Sequence, residues 1–272
     1  MKTKNQLYSK LPLILGLLVA APFAQGTTKI GNGGDVLKCD SSQSERFGGL
    51  VSLDRVVTYS SRTKNEDMVQ VHSWEESKSR ISAKFDELAE NSQLAYEIAN
   101  AFNEFTRLLD NKDFSKARVW EESSWGLIDL KDENLLSKIP EHCKNSDGTP
   151  YLQQFIIRQA NSKQVKYKFD PEIYEELREQ KPLDFSMQIV HEFLWDIVDY
   201  SQDARRLNRL FHSTAFEEMT AKDFEQTLQN FQIYSVDVFS PSQNQQDQYG
   251  QKYLNKKLFQ DIKRDNPVFV RQ

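Results

Sequence analysis

The sequence predicts an α+β fold, a small antiparallel sheet packed against several amphipathic helices. Three observations carry that expectation. Apolar residues recur three and four apart over residues 73–110 and again over 182–200, the period of a helix with one buried face. The runs YLQQFIIRQ and QVKYKF flank Ala160-Asn161-Ser162-Lys163, a turn-type stretch, and read as a hairpin over 151–169. Two cysteines, Cys39 and Cys143, stand far apart and are placed to tie the mature N-terminus to the middle of the chain.

The chain opens with Lys2, Lys4 and Lys10, runs apolar through LPLILGLLVAAPFA and reaches Ala24-Gln25-Gly26. A basic start, a short apolar middle and a small-residue end define a secretory signal peptide over residues 1–26. Cleavage after Gly26 fits best, with cleavage after Ala24 as the alternative. The apolar run carries Pro12 and Pro22 and falls short of the about 20 residues that span a bilayer, so no stable membrane anchor is expected after cleavage. Cys39 lies too far downstream to carry a lipid anchor. The leader's three lysines leave with it, and the whole-chain charge of −5 becomes −8. An acidic mature chain argues against nucleic acid as a partner. The expected location is periplasmic or secreted.

In an oxidising compartment Cys39 and Cys143 most simply form one disulfide. Closing a loop of about 100 residues is worth roughly 4–5 kcal/mol in the chain-entropy model. Free thiols and metal ligands are the alternatives, but the pair lacks CxxC spacing.

Residues 27–35, TTKIGNGGD, form a glycine-rich arm. Gly31, Gly33 and Gly34 follow no strand and match no phosphate-loop pattern. Asp35 to Cys39 reads as a strand. In residues 49–59, GLVSLDRVVTY, helix and strand compete. Residues 73–110 form one long helix or two broken near Asn91-Ser92, with Ser77 and Ser92 as caps. Residues 119–143 read as loop-rich. Trp120 and Trp125 there offer either a sugar platform or, preferably, core anchors.

After the hairpin, Asp170-Pro171 marks a helix start, an acidic cap with proline at the first position. A further helix runs from Pro182 or Leu183 to about Tyr200, with Met187, Val190, Leu194, Ile197 and Val198 as its stripe. Asp203 caps the next, and Thr220 starts a last one. Residues 27–239 then make a single domain, and residues 240–272 a polar, Gln/Asn-rich extension.

One segment carries candidate chemistry. His191 and Glu192 sit in mid-helix like the first half of HExxH, in which two histidines four apart bind zinc and the glutamate activates water. The fourth position here is Trp195, so the resemblance to zincin peptidases is confined to one helix. Asp199 lies two turns from His191, about 12 Å along the axis, too far to share an ion. His191 and His212 are the weak ligand candidates, and no metal site or cofactor is expected. The structural alternative is an interhelical ion-pair network of Glu192 with Arg205, Arg206 and Arg209, with Glu192 paired to Arg206 or Arg209.

Taken in order, GNGGDVLKC, PEHC, a hairpin, an Asp-Pro helix and VHEFLW…ARRLNRLFHS resemble secreted proteins of predatory, Bdellovibrio-type bacteria over residues 30–215. The resemblance implies an exported location and a role in predation, and supplies no catalytic residues. The functional expectation is an exported envelope protein, a non-enzymatic binding or interaction module with a protein or peptide partner. The alternative is a diverged zincin-like hydrolase of peptide or cell-wall substrates using His191 and Glu192 as catalytic residues.

Overall fold

A computed structural model of the chain describes residues 29–31, 34–40, 42, 48–60, 68–110, 118–123, 138–160, 165–198 and 200–236. The leader, Trp125, the turn at 161–164, Asp199 and the extension at 240–272 lie outside the described residues. The α+β class holds. The small sheet is mostly antiparallel as expected, but among the described residues the strands divide into two sheets, and one contains a parallel pair.

The first sheet orders β1 (Lys29–Gly31), β6 (Ile156–Ala160), β7 (Val165–Phe169) and β4 (Arg118–Glu122) as β1-β6-β7-β4. The second orders β3 (Gly49–Ser52), β2 (Asp35–Cys39) and β5 (Leu152–Gln154) as β3-β2-β5. The expected hairpin is present as β6 and β7, with Ala160 opposite Val165. Its first strand is broken at Phe155, however, and the piece before the break belongs to the other sheet.

The break is a kink rather than a slip. Gly31 stands opposite Arg158 and Asp35 opposite Gln154, so pairing register is kept across it. Gly34 carries the bend at φ +80°, and its carbonyl accepts from both Phe155 N–H (2.7 Å) and Ile156 N–H (3.2 Å). A Cβ on Gly34 would lie 2.8 Å from Ile156, so only glycine fits.

Strand β4 replaces part of the predicted loop. It lies parallel to β7, with Trp120 opposite Tyr167 and Glu122 opposite Phe169. Trp120 is 4% exposed and stacks on Tyr167 at 4.5 Å between centroids, a core anchor and not a sugar platform.

Helix and strand share residues 49–60. After β3, α1 (Leu53–Ser60) begins immediately. The 73–110 stretch is two helices, α2 (Trp74–Ala89) and α3 (Gln93–Asp110). Ser92 Oγ accepts from Ala95 N–H as expected of a cap. The cap of α2 is Ser73, which accepts from Glu76 N–H. Ser77, predicted as that cap, is buried instead. Asp170 caps α4 (Pro171–Gln180) by accepting from Glu172 and Ile173 N–H.

Helix α5 (Pro182–Leu194) ends six residues before the predicted Tyr200. In α6 (Ser201–Phe211) the N-cap is Tyr200, and Asp203 lies inside the first turn. The short α7 (Thr214–Glu218) and α8 (Ala221–Asn230) follow, the latter capped by Thr220. No described helix is long and apolar enough to cross a membrane.

Packing centres on α5, in which every residue from Asp184 to Leu194 is buried. It is covered on all sides, not on one stripe. Around it Phe85, Phe211, Phe216 and Phe224 meet edge-on or tilted at 5.0–6.3 Å. A second cluster gathers Leu37, Val51, Leu53, Val56, Val57 and Ile139 around the Cys39–Cys143 disulfide.

Candidate functional site

A helix buried on every side must satisfy its polar side chains inside the protein. Helix α5 carries Asp184, Ser186, Gln188, His191 and Glu192, all at most 1% exposed. Asp184 accepts from Ser52 N–H (2.9 Å) and faces Arg55 at 2.6 Å. Gln188 donates to Asp35 carbonyl oxygen and to Ser52 Oγ.

His191 meets a carboxylate that the sequence reading did not single out. Its Nδ1 lies 2.6 Å from Oδ2 of Asp54, on α1. Arg205 Nε donates to Asp54 Oδ1 at 3.0 Å, and Asn208 donates to Asp54 Oδ2 at 2.7 Å. Burial alone would raise the Asp54 pKa. His191, Arg205 and Asn208 together outweigh it and hold the group down at about 2. Asp54 is therefore the charged centre joining α1, α5 and α6. His191 Nε2 has no hydrogen-bond partner among the described residues, and the Trp195 ring lies edge-on at 6.0 Å.

The second histidine belongs to a separate chain of bonds. His212 Nδ1 lies 2.8 Å from Asn208 carbonyl oxygen, which can only accept, so Nδ1 carries the proton. Burial pushes the His212 pKa down to about 3, so the ring is neutral and Nε2 is an acceptor. Ser186 Oγ, 2.8 Å away, then donates to Nε2 and accepts from Ser77 Oγ at 2.7 Å. A serine donating to a histidine is the first half of a hydrolase triad. Here Ser77, Ser186 and His212 are all 0% exposed, and the chain of bonds links α2, α5 and α6. Both ring nitrogens of His212 are engaged, so His191 and His212 do not converge on one ion.

Glu192 departs furthest from expectation. Neither of its carboxyl oxygens has a hydrogen-bond partner among the described residues, so the pairing with Arg206 or Arg209 is not made. Arg205 is spent on Asp54. Arg206 is largely exposed and lies 3.8 Å from Asp203. Helix α6 turns its Arg205 face inward, toward α1 rather than toward Glu192. Burial raises the Glu192 pKa well above the ordinary range. Arg158 opposes the rise, and Asp35, Asp54 and Asp196 add to it. Arg158 is itself tied to Asp196 at 2.7 Å. Glu192 is thus held as a neutral acid.

That neutrality sets a pH dependence. The unfolded chain ionises Glu192 at an ordinary pKa while the folded chain keeps it protonated, so rising pH favours unfolding. Glu192→Gln is expected to match the parent below the unfolded pKa of 4.5 and to exceed it by a margin that grows as pH rises above that value and levels off once the folded carboxyl ionises, read as urea midpoints at several pH values. A variant less stable than the parent at alkaline pH would contradict this account.

Cys39, His142 and Cys143 bring their ligand atoms within 4.8 Å of one another. The two sulfurs are bonded to each other, which leaves no thiolate to offer a metal.

An accessible concave feature lies elsewhere. A cleft of about 350 Å³ opens at the carboxyl ends of the parallel strands β4 and β7, beside α4. Trp120, Phe169 and Tyr174 form its floor, each less than 10% exposed. The exposed Glu121, Glu122 and Glu175 surround it. Lys166 Nζ lies 2.7 Å from Glu121, whereas no described residue forms an ion pair with Glu122 or Glu175. In sequence, Trp120 stands out by its nearness to Trp125. The carboxylates were not marked, because their meeting depends on the parallel pairing of β4 with β7.

No protein-family model, no curated protein and no solved structure matches the chain.

Proposed function

We propose that this chain is an exported, non-catalytic binding module that takes lysine-bearing peptide segments in the cleft between β4, β7 and α4. One observation carries the reading: the open concave surface joins an apolar floor to exposed glutamates, while the histidine and serine chemistry is sealed in the core. A lysine side chain suits such a surface, laying its four-carbon stem on apolar atoms while its ammonium stays among carboxylates in water. The nearly covered aromatic rings leave little face for stacking a sugar. A hydrolase built on His191 and Glu192 would need those groups where substrate and water arrive, and both are 0% exposed. Export rests on the leader and agrees with the disulfide.

Titrating the mature chain with tetralysine amide at low salt is expected to shift the Trp120 indole resonance. Affinity should fall at least fivefold in Glu122→Gln/Glu175→Gln and should weaken as salt screens the exposed carboxylates. No response, or a response that the double replacement leaves unchanged, overturns the reading.

A further inference from the structure

The acidity of this protein is unevenly distributed along the chain. Residues 240–272 hold six basic and three acidic residues, a net +3. Removing that extension and the leader's three lysines leaves residues 27–239 at −11. Within the extension, residues 253–264 read YLNKKLFQDIKR. Leu254, Leu258 and Ile262 recur four apart, and Lys256, Lys257, Lys263 and Arg264 lie between and beside them. This stretch combines what the cleft asks for, apolar side chains for its floor and cations for its glutamates.

Reach is sufficient. Val236, the last described residue, donates its N–H to Glu97 Oε2 on α3 at 3.2 Å. Leu109, which lines the cleft, stands on the same helix twelve residues further on, about 18 Å along the axis. The chain from Val236 to Leu254 spans up to about 60 Å when extended.

We propose that the basic segment at 253–264 docks in the acidic cleft of its own molecule and competes there with outside ligands. The proposal rests on the cleft being a site for cationic peptide. A tethered segment sees the site at an effective concentration of about 1 mM, so even weak contacts keep it occupied much of the time. Release of the extension, by stronger ligand or by proteolysis, would then open the site.

The test uses the full mature chain. Carbodiimide coupling joins a lysine to a carboxylate only when the two touch. Mixing unlabelled and ¹⁵N-labelled chains separates links within a chain from links between chains. The expected links run from Lys256, Lys257 or Lys263 to Glu121, Glu122 or Glu175 of the same chain. Tetralysine amide should bind about tenfold more tightly to the Lys256→Glu/Lys257→Glu/Lys263→Glu/Arg264→Glu variant, in which the competitor is removed. Equal affinity in the two chains, or the absence of those intrachain links, overturns the docking and leaves the cleft reading standing. Failure of tetralysine to bind either chain removes both.

Discussion

Replacing Asp54 by alanine is expected to lower the unfolding free energy by about 3–5 kcal/mol, because it removes the buried carboxylate on which His191, Arg205 and Asn208 converge. No other described carboxylate collects His191, Arg205 and Asn208, which reach it from two helices. At this chain length the loss corresponds to a fall in Tm on the order of 10 °C. Asp54→Asn should recover little, since one of its two acceptor oxygens becomes a donor facing donors. The acid limb of stability separates the groups involved. Asp54 is held at about 2 against 3.8 when unfolded, so its contribution of about 2 kcal/mol is present above pH 4 and lost as pH falls toward 2. His212 acts earlier: the unfolded ring takes a proton below about 6.5 and the folded ring refuses it until about 3, so stability falls across that interval. Asp54→Ala should flatten the limb below pH 4 and keep the slope between pH 6.5 and 4. Urea titrations at five pH values measure both, and a variant within about 1 kcal/mol of the parent at pH 7 would show that Asp54 is not the anchor.

Local signals carried much of the fold. The Asp170-Pro171 start, the Ser92 break and the 156–169 hairpin are each specified within a few residues, by a cap, a proline or a two-residue alternation. What failed was non-local. Strand β4 looked like loop because its partner β7 lies 47 residues away (Arg118 opposite Val165), and nothing in RVWEE announces a parallel neighbour. Helix α5 looks amphipathic in sequence because Met187, Val190 and Leu194 make one apolar stripe, whereas every residue from Asp184 to Leu194 is buried. Three of its polar residues find partners on elements distant in sequence, Asp184 on β3 and α1, His191 on α1, Ser186 on α2.

The segment around His191 stands out in sequence as a candidate for chemistry, and the structure places it in a buried polar layer. Its partners were not legible. Asp54 reads as an ordinary acid in a first helical turn, 137 residues from His191. Glu192 had an arginine-rich helix nearby in sequence, and the natural pairing was drawn from that proximity. The fold presents Arg205 to Asp54 and leaves Glu192 neutral, since a second buried carboxylate beside Asp54 is more cheaply protonated than paired.

Removing the disulfide with Cys39→Ala/Cys143→Ala is expected to cost about 4–5 kcal/mol, the loop-closure value for a sequence separation of 104. The loss should not be spread evenly. Cys39 ends β2, Cys143 closes the 3-10 turn at Glu141–Cys143, and Asp40 N–H donates to His142 carbonyl oxygen beside them. Without the bond, the β3 and β2 strands and the small cluster of Leu37, Val51, Leu53, Val56 and Val57 are tied to the middle of the chain only by the β2–β5 pairing and nearby backbone hydrogen bonds. Helix α1 grows directly out of β3, so Asp54 rides on the loosened unit. Once α1 samples detached states, the Asp54 network is already partly open, and deleting Asp54 has less left to break. The Asp54→Ala penalty should therefore shrink by 1 kcal/mol or more in the disulfide-free chain, a coupling that distant independent sites do not have. Penalties that add within about 0.5 kcal/mol in urea unfolding would mean that the disulfide braces the sheet without reaching the polar network.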